Sequence, residues 1–380
     1  AATNDPEEDI VAEMMTEMTL EEKVGQLFIV RPESLDESFT PNQAHGSARY
    51  SDTDCSAGMA DFLAAHPAGG IAFFGKNIQN PEQTASFIQN LQKASRIPLF
   101  IAVDEEGGTV ARIANSPAFT VPKYDGAQAV GSTGDPEQVR AMYSAIGGYL
   151  AELGFNLDFA PVADVNSNPN NTVIGNRAFG SDPKLVAKMV NAAISGLHKE
   201  NIIACIKHFP GHGDTDVDSH KALPVLPFTR ARLDSIELYP FRKAIRAGLG
   251  GMMVGHLEVP AIEPQKGLPS SLSRKVVSGL LVNDLGFQGL VFTDALAMKG
   301  VSGNESICLQ ALKAGNDLLL VPRRIKEEVE AVLAAVKKGE LTEKEIEAKC
   351  RKVLKYKYAL GLEKKPRVQL SGLGTRINTP

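Results

Sequence analysis

What the sequence leaves out narrows the possibilities first. No apolar run approaches the about 20 residues that a membrane-spanning helix needs. No basic block is present, and the formal net charge is −5. Lys337-Lys338 and the lysines between Lys352 and Lys357 fall on helix-like segments and read as solvated faces. That balance speaks against a nucleic-acid partner, which would require a concentrated positive surface. No GxGxxG follows the first strand-like segment, so a dinucleotide fold lacks its phosphate-binding turn. HExxH and CxxC are both absent. The four cysteines, Cys55, Cys205, Cys308 and Cys350, are scattered and impose no disulfide framework, which leaves the redox compartment open. There is no low-complexity segment. The chain begins AATNDPEE, without Met or a legible signal peptide, and reads as processed or truncated.

What remains is an ordinary globular balance, 43% hydrophobic and 22% charged over 380 residues. That length holds one large α/β barrel or two smaller domains. After a first helix over Pro6–Met18, short apolar runs recur with helical periodicity between them. Eight strands are expected, over Val24–Val30, Gly70–Phe74, Pro98–Val103, Phe155–Phe159, Ile202–Ile206, Gly251–Val254, Leu290–Thr293 and Asp317–Val321. Arg31 to Asp54 is a long polar excursion without clear period. Eight βα units with buried strands predict the α/β class and a closed (β/α)8 TIM-type barrel. A doubly wound open sheet is the alternative. The barrel is expected to occupy residues 1–362. Residues 363–380 are expected to be a tail, or the start of a linker to an absent second domain, with RINTP as a cut point in a longer protein.

In such a barrel, functional groups gather at the carboxyl ends of strands. The expected strands end in Asp104-Glu105-Glu106-Gly107-Gly108, Asp164, Lys207-His208, His256 and Asp294. The richest stretch is IIACIKHFPGHGDTDVDSHKALP, residues 202–224. A buried strand runs straight into a loop of Gly, Pro, His and Asp, where each ionisable group must be solvated, paired or placed for chemistry. Three readings stand side by side. The loop could be a solvated turn. It could hold a metal through His208, His212 and His220, although no standard ligand spacing is matched. It could be an acid/base site, with Asp218 orienting and charging His220 from two residues away. Asp294 carries two readings as well, an N-cap for the following helix or a catalytic carboxylate. His256 is either a pocket wall or a satisfied core histidine.

KHFPGHGDTDVDSH resembles the signature loop of glycoside hydrolase family 3, in its β-N-acetylglucosaminidase branch. The resemblance runs from about Met18 to Gly361. It implies that Asp218 and His220 supply the acid/base and that Asp294, in LGFQGLVFTDALAM, is the nucleophile of a retaining exo-acting glycosidase. It also implies sugar binding by Asp104 and Arg112 of VDEEGGTVAR, by Arg177 of IGNRAFG, and by Lys207 and His208. Two departures are visible: Ala295 where relatives often carry a second acid, and Glu105 where they usually carry Gln. Neither a metal nor another cofactor is implied. The substrate class is a small carbohydrate or cell-wall muropeptide bearing terminal β-linked N-acetylglucosamine. An imidazole acid/base does not repel an anionic acceptor, so phosphorolysis stays open beside hydrolysis. β-Glucosidase or β-xylosidase activity is the nearest enzymatic rival, and an inactive carbohydrate-binding barrel is the rival of another class. The compartment is expected to be the periplasm or the exterior, including a lipid anchor, with the cytoplasm as the alternative.

Overall fold

The helices start where local chemistry tells them to. Asn80-Pro81, Asp135-Pro136 and Asp182-Pro183 open helices Pro81–Ala94, Pro136–Leu153 and Pro183–Lys199. In each, the acid or amide side chain accepts from a backbone N–H of the first turn, and proline fills a position whose N–H has no helical partner. One expectation is corrected by the same logic. Val24 does not begin a strand. Thr19 and Glu22 form a reciprocal capping box that launches helix Leu20–Gly25, and the strand starts only at Phe28.

The structure, a computed structural model, describes residues 6–215, 223–297, 306–364 and 368–377. Its eight-stranded parallel sheet consists of β1 (Phe28–Val30), β2 (Gly70–Ala72), β3 (Phe100–Val103), β4 (Leu157–Asp158), β5 (Ile203–Phe209), β6 (Gly251–Val254), β7 (Leu290–Thr293) and β8 (Leu319–Leu320). Neighbours in sequence are neighbours in the sheet, and β8 pairs back onto β1. The ring closes between β7 and β8 at the Phe292–Leu318 bridge. There Leu318 N–H donates to Val291 O and Thr293 N–H to Leu318 O, both at 3.0 Å. This is the expected (β/α)8 barrel. Strands buried on both faces, such as the wholly buried β5, read as continuous apolar runs.

The polar excursion after β1 is held by charge. Glu33 is buried and accepts from Asn77 Nδ2 at 2.6 Å, while Arg31 stacks on the Phe74 ring at 4.2 Å. Beyond the barrel, Leu373 and Ile377 are buried, Arg376 pairs with Glu152, and Gly374 N–H donates to Glu82. No described helix is long and apolar enough to cross a membrane.

The last barrel helix, Glu343–Ala359, sends Lys357 into the core. Its Nζ donates to Gln26 Oε1 at 2.7 Å and lies 5.1 Å from the Phe100 ring centre. Among the described residues no carboxylate compensates it there, and burial pulls the ammonium down to about 7 from its ordinary 10.5. Between those two values the unfolded chain binds the proton that the folded chain does not. The group's penalty is therefore absent above about 10.5, grows as pH falls, and is complete below about 7. Lys357→Met removes this dependence. Urea unfolding across pH 7–10 should show wild-type stability rising with pH relative to the variant; parallel curves would show that Lys357 is not the source.

Candidate active site

The site assembles at the carboxyl end of the barrel, from strand ends that period-two geometry sorts into faces. Beyond β3 the chain continues extended through a short hairpin, Glu105–Gly107 with Val110–Ala111. Asp104 and Glu106 then share one face and Glu105 takes the other. Glu105 turns into the core, accepting from Ile113 and Ala114 N–H at 3.0 Å each and from the Tyr149 hydroxyl at 2.5 Å. Burial pushes its carboxyl up to about 7 against those donors. The extra charge of this departure therefore never enters the site. Its work is to fasten the hairpin that carries its two neighbours. Gly108 makes the turn possible: its φ is +62°, and a Cβ there would sit 2.9 Å from Gly126 Cα.

On the other face, Lys207 at the end of β5 is the hub. Its Nζ lies 2.9 Å from Asp104 Oδ1 and 2.7 Å from Glu106 Oε2. Arg177 grips Glu106 with a two-pronged fork, Nε to Oε1 at 2.9 Å and an Nη2 to Oε2 contact of 2.8 Å. Burial alone would raise the Glu106 carboxyl, but Lys207 and Arg177 outweigh it and bring it to about 2. Lys207 and Arg177 are in turn held above their ordinary values, because these carboxylates outweigh the burial that opposes their charge. Arg112 lies farther out, 3.9 Å from Asp104 Oδ2.

His208 follows Lys207 across a cis peptide. Asp164, fully buried after β4, accepts three bonds: His208 Nδ1 at 2.8 Å, His208 N–H at 3.1 Å and His212 N–H at 2.8 Å. A carboxylate only accepts, so His208 carries a proton on Nδ1. His212 is also buried. Its Nδ1 meets the Thr215 hydroxyl, which itself donates to His212 O, so Nδ1–H is the donor and Nε2 keeps its lone pair. Burial, helped by the nearby His208, holds His212 below its ordinary value.

The loop that follows is fixed at both feet. Asn171 Nδ2 donates to His212 O at 2.7 Å, and Asn168 Nδ2 to Asp214 O at 3.1 Å. Asp214 Oδ2 accepts from Ser167 Oγ at 2.5 Å and from Arg232 at 3.1 Å. Arg232 also pairs with buried Glu237 at 3.1 Å and lies over Phe228. Gly213 passes so close to the β4 loop that a Cβ would stand 1.8 Å from Val165 O. At the far foot, Leu226 N–H donates to Glu258 O and Glu258 N–H to Pro224 O. Asp218 and His220 lie outside the described residues.

Asp294 ends β7. Its N–H donates to Val254 O at 3.0 Å, and its Oδ1 accepts from Ala295 N–H at 2.8 Å. Burial raises the carboxyl, yet His256, His208, the Ala295 N–H and Lys207 together hold it below the usual carboxylate value. His256 proves to be a satisfied buried histidine. Its Nε2 donates to Ala295 O at 2.9 Å, because a carbonyl only accepts, and its Nδ1 meets Ser271 Oγ at 2.6 Å. It fixes the peptide next to Asp294.

The residues expected from sequence thus converge in part: Asp104 with Lys207 and Arg112, and Arg177 and Lys207 through Glu106. His208 stands beside them on Asp164, and Asp294 lies within the electrostatic reach of His208 and Lys207. From sequence alone Glu106 and Asp164 carry no role. The alternation in Asp104-Glu105-Glu106 was the available signal for the first. For the second there was only position, since its three donors come from the end of β5 and the loop after it, 44 and 48 residues away. Among the described residues, no group of three His, Cys, Asp or Glu side chains converges as a metal site.

Comparison with known proteins gives this geometry its family. A β-hexosaminidase A from Pseudoalteromonas piscicida is 34% identical over 353 residues, covering 83% of this chain and 58% of its own length. The chain therefore spans little more than half of that relative. A β-hexosaminidase from Alkalilimnicola ehrlichii is 36% identical over 279 residues, with 71% of this chain and 78% of that protein covered. Among solved structures, a family 3 β-N-acetylglucosaminidase from Paenibacillus superposes with a TM-score of 0.82 at 36% identity, over 95% of this chain and 68% of that one. Residues 19–356 match the N-terminal domain of glycosyl hydrolase family 3, and the chain belongs to that family.

Proposed function

We propose that the protein is a retaining exo-β-N-acetylglucosaminidase acting on small carbohydrates, including cell-wall fragments that end in β-linked N-acetylglucosamine. The observation that carries this reading is the carboxylate of Asp294, kept ionised at a barrel mouth that also holds the Asp104–Lys207 pair. Relatives named β-hexosaminidase, and a structural neighbour described as a β-N-acetylglucosaminidase, support the sugar class.

In this reading Asp294 attacks the anomeric carbon. A carboxylate that stays ionised through the neutral range is available as a nucleophile without prior loss of a proton. The Ala295 N–H occupies one lone pair of Oδ1, and His256 holds that peptide still. Asp104, Lys207, Arg177, Arg112 and His208 hold the sugar. Adjacent hydroxyls suit a carboxylate acceptor flanked by cationic donors. His220, charged and oriented by Asp218, protonates the leaving oxygen and later activates water. The residues that flank this pair, 211–215 and 224–226, are anchored by hydrogen bonds to the segments after β4 and β6. The catalytic unit is residues 1–362, with 363–380 as tail or linker, and the setting is the periplasm or the exterior.

Turnover of aryl β-glycosides tests the reading: N-acetylglucosaminide, glucoside, xyloside and galactoside, each with and without inorganic phosphate. The N-acetylglucosaminide should be cleaved best, with free sugar released in both conditions. Preference for the glucoside would overturn it, and a sugar phosphate as main product would make the enzyme a phosphorylase.

Asp294→Ala should lower kcat by on the order of 10³-fold or more while leaving the melting temperature nearly unchanged. Wild-type turnover in that variant would remove Asp294 from the nucleophile's role.

His220→Ala should separate the two half-reactions. A dinitrophenyl glycoside needs little protonation, so the variant should give a fast burst and then stall, with azide restoring turnover by direct attack. Equal losses on good and poor leaving groups, without a burst, would instead make His220 a sugar-binding or loop-ordering residue.

A further inference from the structure

Glu106 is the more deeply buried of the two carboxylates that face Lys207. Its side chain is 3% exposed, against 22% for Asp104. Nonetheless it holds both principal cations. The fork uses Arg177 Nε and Nη2, and Arg177 Nη1 donates to Val173 O at 3.2 Å. Lys207 Nζ divides between Glu106 and Asp104. Two carboxylates thus face the two buried cations, one carboxylate at the surface of the site and one beneath it; Arg112, 3.9 Å from Asp104 and 38% exposed, lies outside this buried set. Nitrogen-bound hydrogens remain on Lys207 and Arg177 for neutral acceptors, since an ammonium has three and a guanidinium five. Their charge, however, is already matched.

We propose that Glu106 determines the charge preference of the sugar site: as a buried counter-ion to Lys207 and Arg177, it makes that floor select hydroxyls and deprives anionic ligands of net attraction. This rests on the reading of Asp104, Lys207 and Arg177 as the sugar-holding floor. Glu106 acts through the two cations and is a positioning and specificity residue. Carboxylated, sulfated or phosphorylated sugars carry the same hydroxyl pattern with an added anion. A floor with surplus positive charge would retain them, and a balanced floor does not.

Removing the carboxylate charge without its shape leaves one positive charge in excess. Glu106→Gln should therefore bind inorganic sulfate at least about tenfold more tightly than wild type. Sulfate is the probe, at ionic strength held constant with chloride. Its effect is read twice, as competitive inhibition of aryl N-acetylglucosaminide cleavage and as a sulfate-dependent rise in melting temperature, which needs no turnover. Glu106→Asp keeps the charge and should stay as insensitive to sulfate as wild type even if its KM rises. The double variant Glu106→Gln/Arg177→Gln restores the balance and should return to wild-type sensitivity.

A folded Glu106→Gln with unchanged sulfate affinity overturns the proposal, as does a double variant that binds sulfate as tightly as the single one. If Glu106→Gln does not fold, the charge-balanced double variant must fold and ignore sulfate. Its failure to fold would show that Glu106 serves packing alone. Absence of glycosidase activity in the wild type would defeat the functional reading separately, because the melting readout reports the charge balance by itself.

Discussion

A lysine buried at the end of a barrel strand must find anions, and here that requirement organises the site. Lys207 lies on the wholly buried β5, where an uncompensated ammonium would lose its proton or prevent burial. Asp104 and Glu106 come to it from β3 and its hairpin, and Glu106 then needs Arg177 from the β4 loop. One strand end and the segments that follow two others are thereby fixed by one nested set of charges. Desolvation makes each member expensive to lose, since removal of one leaves another buried and unmatched. Lys357, at a distance from this set, shows the contrasting case: beside Gln26 and a ring, and with no carboxylate among the described residues, its proton is held weakly.

A second network of neutral and charged bonds sits beside the first. Asp164 binds His208 and the backbone of His212, and Asn171 joins the His212 carbonyl to the backbone of Val173 and Ile174. The segment leading to Arg177 and the loop leading away from His208 are consequently tied to each other. Rigidity of this kind is what preorganised sugar recognition needs, because hydroxyl hydrogen bonds are directional and individually weak.

The barrel was legible because its signals are local and repeated. Short apolar runs, Asn-Pro and Asp-Pro helix starts, and regular βα spacing point to one architecture. The misread stretch was Val24–Val30, where apolar residues spoke for a strand and a capping box two positions outside the run decided for a helix. Strand-end position, joined to the resemblance, picked out Asp104, Lys207, His208 and Asp294. Pairing was not legible. Nothing in one dimension says that Glu106 meets Arg177 across 71 residues, or that Glu105 faces Tyr149 across 44. His256 could not be decided from sequence either, because its partners Ser271 and Ala295 arrive by folding.

The two anchored feet of the loop after β5 set a length scale. Between Thr215 and Leu223 lie seven residues, and His220 is three peptide links from Leu223, the residue before Pro224, whose carbonyl accepts from Glu258 N–H. An extended chain advances at most about 3.6 Å per residue, so His220 Cα stays within about 11 Å of Leu223 Cα in every conformation. Residue count alone sets that limit, so each residue inserted between His220 and Leu223 would lengthen it by about 3.6 Å.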